Sequence, residues 1–220
     1  MPRPEASRRI DSLTGASVSS ARMAAVRILG IDPGTIVAGF ACLEVQAREP
    51  SRAVRAAGSE LLAARASNLV RRSAPSGDAR LIEAGVLRLG KGRPIEQRLA
   101  DLARGIEELI ARLSPSELAL EEAFHGKSPQ AALRIGEARG VVLAMAHRHG
   151  LSVHQFPPAT IKRRVTGSGR AEKEVVAEMA LRALGAGPID GPADAGDAVA
   201  VALCRAEERH SPLADLTASR

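Results

Sequence analysis

Hydrophobic residues along the chain alternate between short apolar runs and longer stretches with helical spacing. A mostly apolar run over 26–32 ends in the turn sequence Asp32-Pro-Gly, and a second run over 38–45 follows so closely that the two predict a hairpin. Apolar runs predict further strands at 83–89, 118–120 and 153–156. The second of these short strands delivers Glu121 at its end.

Helical spacing begins after the third strand and continues to the end of the apolar pattern. One buried face is predicted from residues three and four apart: Leu99, Leu102, Ile106, Leu109, Ile110 and Leu113. Further helices are predicted from Ser128 to Gly150, from Pro157 to about Arg164, over about 171–184, and from about Ala193 onward. Strands grouped first and then alternating with helices predict a mixed α/β sheet with helices on both faces.

Three segments lack such periodicity. We expect a disordered leader over 1–25, an Arg/Ala/Ser-rich insert over 46–80 and a tail over 211–220, around a main domain of 26–210. Met23 is an alternative start of translation.

Composition excludes two classes of protein. The chain of 220 residues has only two cysteines, so it has neither a disulfide framework nor a cysteine zinc site. It also has no membrane-length apolar run and no signal-peptide core. We therefore expect a cytoplasmic protein that does not contact a membrane.

The net charge of +6 invites a nucleic-acid interpretation, but the charge is unevenly placed. Residues 46–93 carry ten Lys/Arg against four acids, and residues 1–27 carry five against two. The remaining chain is net acidic, with 16 basic and 19 acidic residues. Any argument for DNA binding must therefore rest on local clusters.

Four carboxylates stand where the predicted sheet and the last helix meet. Asp32 and Glu121 close buried strands, and Asp194 and Asp197 share one face of a first helical turn. Singly, each has a bland explanation as a turn residue, helix cap or solvated strand end. Together they would repel one another unless a cation compensates, and oxygen donors suit Mg²⁺ or Mn²⁺. Such a cluster is what two-metal phosphoryl transfer requires.

Local clusters of basic residues are candidates for binding DNA. The candidates for DNA contact around the Gly-Ser-Gly loop are Lys162, Arg163, Arg164, Arg170 and Lys173. Phe124 and Lys127, soon after Glu121, are candidates for stacking on a base and for phosphate contact. The alternatives are a solvated charged face and a core phenylalanine.

Five ordered motifs carry a resemblance to a known family. They are Ile-Leu-Gly-Ile-Asp32-Pro-Gly-Thr, Leu-Ala-Leu-Glu121-Glu-Ala-Phe124, Leu133-Arg-Ile-Gly-Glu-Ala-Arg-Gly140, Ile161-Lys162 through Gly167-Ser-Gly-Arg-Ala-Glu-Lys173, and Ala193-Asp194-Ala-Gly-Asp197-Ala. Over 26–45 and about 82–209 the chain resembles RuvC-type crossover junction endodeoxyribonucleases.

That resemblance implies a ribonuclease H-like fold and a homodimer that cuts Holliday junctions during DNA recombination and repair. It places two Mg²⁺ ions, or Mn²⁺, on Asp32, Glu121, Asp194 and Asp197. It also implies junction contacts at Lys162 and Lys173, a role near the branch point for Phe124, and cooperation with the RuvA–RuvB branch-migration complex.

Two other functions remain open at this stage. Gly-Ile-Asp-Pro-Gly-Thr also resembles the first phosphate loop of actin-like ATPases, although the chain is short for their two lobes. A non-catalytic junction-binding protein on the same fold is the second alternative, which the complete carboxylate set disfavours.

Overall fold

The structure, a computed structural model, describes residues 25–46, 79–122, 128–189 and 192–209. Its strands are β1 (Val26–Asp32), β2 (Val37–Val45), β3 (Ala79–Arg88), β4 (Glu117–Glu121) and β5 (Ser152–Phe156). Its helices are α1 (Ile95–Leu113), α2 (Pro129–Arg148), α3 (Pro158–Thr166), α4 (Lys173–Ala183) and α5 (Ala193–Arg209). The described elements follow the predicted order.

The five strands form one mixed sheet in the order β3-β2-β1-β4-β5. The first hairpin pairs β1 and β2 antiparallel from Val26↔Val45 to Asp32↔Gly39, which confirms the predicted hairpin. Strands β4 and β5 continue the sheet parallel to β1. The carboxyl ends of β1, β4 and β5 therefore lie at the same edge of the sheet.

Helices cover both faces of the sheet, as predicted. Helices α3, α4 and α5 pack on one face, through Ile161, Val176 and Val199 among others. Helices α1 and α2 pack on the other, through Leu102, Ile106 and Val142 among others. We call these the α5 face and the α1 face. The described helices include none long and apolar enough to cross a bilayer.

The predicted β3 was too short at its start. The strand begins at Ala79, inside the segment assigned to the insert, and pairs there with the end of β2. Arg80 and Glu83 interrupt the apolar pattern at this end of the strand, so the apolar run that predicted 83–89 did not reveal its start. The leader, the tail and residues 47–78 lie outside the described residues.

Both cysteines are free and buried, one on each face of the sheet. Burial raises the pKa of the Cys42 thiol to about 11 and that of Cys204 to about 12. Neither thiol is poised for nucleophilic chemistry.

Two glycines let α5 lie directly on the sheet. A Cβ at Gly39 would stand 1.9 Å from the backbone oxygen of Asp194, and one at Gly30 would stand 2.3 Å from that of Ala198. Any side chain at either strand position would push the helix away. The absence of these two side chains brings the first turn of α5 against β2 and its later turns against β1.

Candidate active site

The side chains of Asp32 and Glu121 leave the sheet on the same face. Along β1, Ile28 packs into the α5 face and Ile31 into the α1 face. Since side chains alternate along a strand, the side chain of Asp32 points to the face opposite that of Ile31, which is the α5 face. The same alternation in β4 directs Glu121 there, because Ala119 packs into the α5 face. Register continued from Ile31↔Leu120 makes the two carboxylates neighbours.

The first turn of α5 adds the other two carboxylates. Asp194 and Asp197 line one cavity with Asp32, of about 200 Å³. A second cleft, of about 620 Å³, has Glu121 and Asp197 on its wall. Asp197 borders both spaces, so the two cavities form adjoining halves of one site. All four predicted carboxylates therefore lie around it.

Negative charge is concentrated at this site. Burial, reinforced by the charges of Asp197, Asp194 and Glu121, raises the pKa of Asp32 to about 7 although Lys173 lowers it. Burial also raises the pKa of Glu121, and Asp197 adds to that rise against the opposing charge of Lys173. The site is therefore short of positive charge.

Lys173 is the basic residue at the centre of the site. From the start of α4 its Nζ donates a hydrogen bond to Oδ2 of Asp197 at 3.0 Å, and it borders both cavities. Burial alone would lower the pKa of Lys173, but that hydrogen bond and the charges of Asp197, Asp32 and Glu121 raise it. Lys173 thus stays charged and offsets part of the acidity.

The donor set fits a hard divalent cation. Every candidate ligand is a carboxylate oxygen, which Mg²⁺ and Mn²⁺ prefer, and no Cys or His lines either cavity. In the part of the chain that the structure describes, no three Asp, Glu, His or Cys groups are already drawn together as a ligand shell. Asp197 instead holds the Lys173 ammonium. The carboxylates therefore surround the site but are not yet close enough to one another to form a complete ligand shell.

The predicted DNA-binding residues divide into three groups. Lys162 borders the larger cleft and lowers the pKa of Glu121, whereas Arg163 and Arg170 are exposed nearby. The guanidinium of Arg164 instead donates to the Cys204 carbonyl at 2.9 Å and to Glu208 at 3.3 Å. These hydrogen bonds direct Arg164 towards α5. Sequence proximity could not reveal this, because these partners lie about 40 residues further along the chain. Phe124 and Lys127 lie outside the described residues.

One residue at the site has no role assigned from sequence. Arg139, on α2, donates from Nη1 to the main-chain carbonyl of Glu121 and from Nη2 to Oε1 of Gln155. Arg139 belongs to the third motif of the sequence resemblance, but the residues around it in the helix did not indicate a hydrogen bond to β4.

Comparison with known proteins identifies the family. The model of the family described as "Crossover junction endodeoxyribonuclease RuvC" matches residues 65–205, more than half of the chain. The chain belongs to the RuvC family. A crossover junction endodeoxyribonuclease RuvC from Dehalococcoides mccartyi is 39% identical over 192 residues, covering 87% of this chain and 98% of that protein. The RuvC of Chloroflexus aurantiacus is 35% identical over 181 residues, covering 82% and 93%.

Solved structures agree with this assignment to the RuvC family. The structure of Thermus thermophilus RuvC in complex with a Holliday junction substrate aligns with a TM-score of 0.65 and 26% identity, over 84% of this chain and 96% of that one. The yeast mitochondrial Holliday junction resolvase Ydc2 aligns with a TM-score of 0.52 and 12% identity, over 88% of this chain and 82% of that one, which is a likeness of fold alone. The expected ribonuclease H-like sheet is thereby confirmed.

Proposed function

We propose that this chain is a Holliday junction resolvase, which hydrolyses one phosphodiester in each of two opposed strands of a four-way DNA junction. The observation that carries the proposal is the meeting of Asp32, Glu121, Asp194 and Asp197 around Lys173 in a member of the RuvC family. A site of this composition suits phosphoryl transfer, which depends on positioning and on charge.

Each residue of the site has a distinct proposed task. Asp32, Glu121, Asp194 and Asp197 would hold two divalent cations, Mg²⁺ or Mn²⁺, which when bound activate water and stabilise the leaving oxygen. Asp32 and Glu121 are fixed by the sheet, and the α5 pair by the contact of that helix with Gly30 and Gly39. The ammonium of Lys173 stabilises the negative charge that develops on the phosphoryl oxygens.

The larger cleft is the proposed path of the cut strand. Its wall combines the Lys162 side chain with apolar surface from Pro157, Pro158 and Ile161. Proline has no N–H, so the start of α3 offers a nucleotide an apolar surface in place of phosphate-binding amides. Lys162 and the exposed Arg163 and Arg170 would contact phosphates along this path.

A homodimer is the proposed assembly, with α2 at its interface. Leu133 on this helix is 63% exposed. Gly136 and Gly140 lie on the same side of the helix as Leu133 by helical spacing. Both have open space where a Cβ would stand, so a second helix can approach closely. Two copies related by a two-fold axis would match the symmetry of a four-way junction and cut paired strands.

Cytoplasmic recombination and repair is the proposed setting, with the RuvA–RuvB branch-migration complex as the proposed partner. The support is membership of the family and the free, buried thiols of Cys42 and Cys204. Co-sedimentation of the protein with a RuvA–RuvB–junction complex tests the partnership. A protein that does not co-sediment would contradict the partnership.

The first test compares cleavage of a labelled four-way junction with that of a linear duplex of the same sequence. We expect paired cuts in the junction alone, in Mg²⁺ or Mn²⁺, and none in EDTA or with Asp32→Asn. Asp101→Asn is the matched control, because Asp101 lies on α1 and pairs with Arg93 and Arg104.

Three results would overturn the proposal in different ways. Equal cutting of the duplex would indicate a general nuclease. Junction binding without cutting in either metal would indicate the non-catalytic alternative, and ATP hydrolysis would indicate the actin-like one.

A further inference from the structure

The hydrogen-bond ladder of the sheet breaks at Glu121 on the side of β1. The amide of Glu122 donates to the Phe156 carbonyl on β5 at 2.8 Å. In a strand the N–H and C=O groups of successive residues point alternately to the two neighbouring strands. Since the Glu122 amide points to β5, the carbonyl of Glu121 points to β1. Its donor there, by the register of Ile31↔Leu120, would be residue 33. That residue is Pro33, which has no N–H.

Arg139 supplies the missing donor from the α1 face of the sheet. Its Nη1 donates to the Glu121 carbonyl, and its Nη2 donates to the Gln155 side chain on β5. Burial lowers the pKa of Arg139, although the charges of Glu122 and Glu121 oppose that change. A partly desolvated guanidinium with two fixed acceptors forms strong, directional hydrogen bonds. Its backbone contact joins α2 to the end of β4.

We propose that Arg139 is a positioning residue for Glu121, replacing the donor that Pro33 removes and tying the end of β4 to β5. This inference rests on the proposed role of Glu121 as a metal ligand. Glu121 is the last residue of β4, so beyond it the Glu122 amide holds the backbone to β5, and on the side of β1 only Arg139, among the described residues, reaches the Glu121 carbonyl. A ligand is effective only when its direction is fixed, and neighbours that fix it commonly change metal affinity or activity by about 10- to 100-fold.

Amide hydrogen exchange at Glu122 tests the tie without DNA or metal. In Arg139→Met we expect this amide to exchange roughly tenfold faster, because the end of β4 opens locally. Arg148→Met, which removes an exposed arginine from the same helix, is the matched control and leaves the exchange unchanged. Gln155→Ala removes only the β5 partner and gives a smaller change in the same direction. Unchanged exchange at Glu122 in both site variants would overturn the inference.

Single-turnover cleavage separates positioning from DNA contact. We expect Arg139→Met to lower the cleavage rate about 10- to 100-fold with junction affinity within about twofold, and higher Mg²⁺ to restore part of the rate. Arg139→Lys, which has a single donor nitrogen and so cannot hold both acceptors with the fixed fork of a guanidinium, gives an intermediate rate. A loss of affinity that accounts for the whole loss of rate would overturn the inference. Wild-type protein that never cuts would instead refute the proposed function, and the exchange result would still decide whether Arg139 ties the strands.

Discussion

The ammonium of Lys173 lies 3.0 Å from a carboxylate oxygen of Asp197. One residue comes from the start of α4 and the other from the first turn of α5, and both border the two halves of the site. Among the described residues, this is the only ion pair between α4 and α5. It places one compact positive charge among four acids.

Replacement of Lys173 is expected to impair chemistry more than binding. Lys173→Met should lower single-turnover cleavage by at least about 100-fold, the usual loss when one charge-stabilising donor is removed. Lys173→Arg should not restore it, since a planar guanidinium cannot occupy the place of a compact ammonium. Arg170→Met is the control: it should weaken junction binding and its salt dependence without a matching loss of rate at saturation. A Lys173→Met defect that saturating junction abolishes would contradict this role.

A side chain at Gly39 is expected to displace the start of α5. Gly39→Ala puts a Cβ 1.9 Å from the backbone oxygen of Asp194, a contact that only movement of the helix relieves. We expect a loss of about 2 kcal/mol or more in the free energy of unfolding, together with loss of cleavage. Gly187→Ala, where a Cβ meets nothing within 4 Å, is the control and should change neither. Thermal unfolding and cleavage assays on both variants decide the point.

A charge on the exposed face of α2 is expected to separate the dimer. Leu133→Glu should give a monomer in sedimentation velocity, because burying a carboxylate at an interface is unfavourable. The matched control is Val175→Glu on α4, which changes another exposed apolar residue and should leave the dimer intact. The monomer should cut junctions singly, without pairing its cuts. A dimer that survives the change at Leu133 would place the interface elsewhere.

The stability of the fold is expected to fall as Glu207 ionises. Burial raises the pKa of this carboxyl to about 7 from 4.5, although the charge of Arg164 opposes the rise. The folded protein therefore holds a proton that the unfolded chain releases, so stability decreases as pH rises through this interval and remains lower above it. Glu207→Gln should raise the free energy of unfolding by on the order of 1–2 kcal/mol at pH 8 and leave it nearly unchanged below about pH 4. An equal effect at both pH values would refute this explanation.

The segment 47–78 is predicted to add nonspecific affinity for DNA. It carries six arginines against three acids, and Val45 pairs directly with Ala79, so a short Asn-Gly turn can replace it. The shortened chain should bind junctions with a salt dependence reduced by about 2–3 in slope and retain its cutting of junctions. An unchanged slope would remove the segment from the DNA surface.

Sequence pattern predicted most of the fold because apolar periodicity survives in this chain. The helical face from Leu99 to Leu113 and the strand ending at Glu121 stand out even without an alignment. The same reasoning singled out Asp32 and Glu121, acids that end buried strands, and the pair of Asp194 and Asp197, which share one face of a helical turn.

The features that sequence missed all depend on packing between distant elements. Nothing near Gly39 indicates that the backbone of Asp194 rests on it, and nothing near Arg139 indicates the carbonyl of Glu121. Pro33 was the one local signal, since a proline at the end of a strand leaves a neighbouring carbonyl without its donor. Arg164 is the converse case, because a residue of a basic run makes its hydrogen bond with the main-chain carbonyl of Cys204.

The contact of α5 with the sheet also sets a time at which the protein gains its activity. Asp32 is in the first described strand and Asp194 in the last described helix, so a ribosome must translate almost all of the described residues before the two can meet. A nascent chain that already contains the whole sheet still lacks half of its carboxylates. On the proposed assignment of the metal ligands, an incompletely synthesised chain cannot cut DNA.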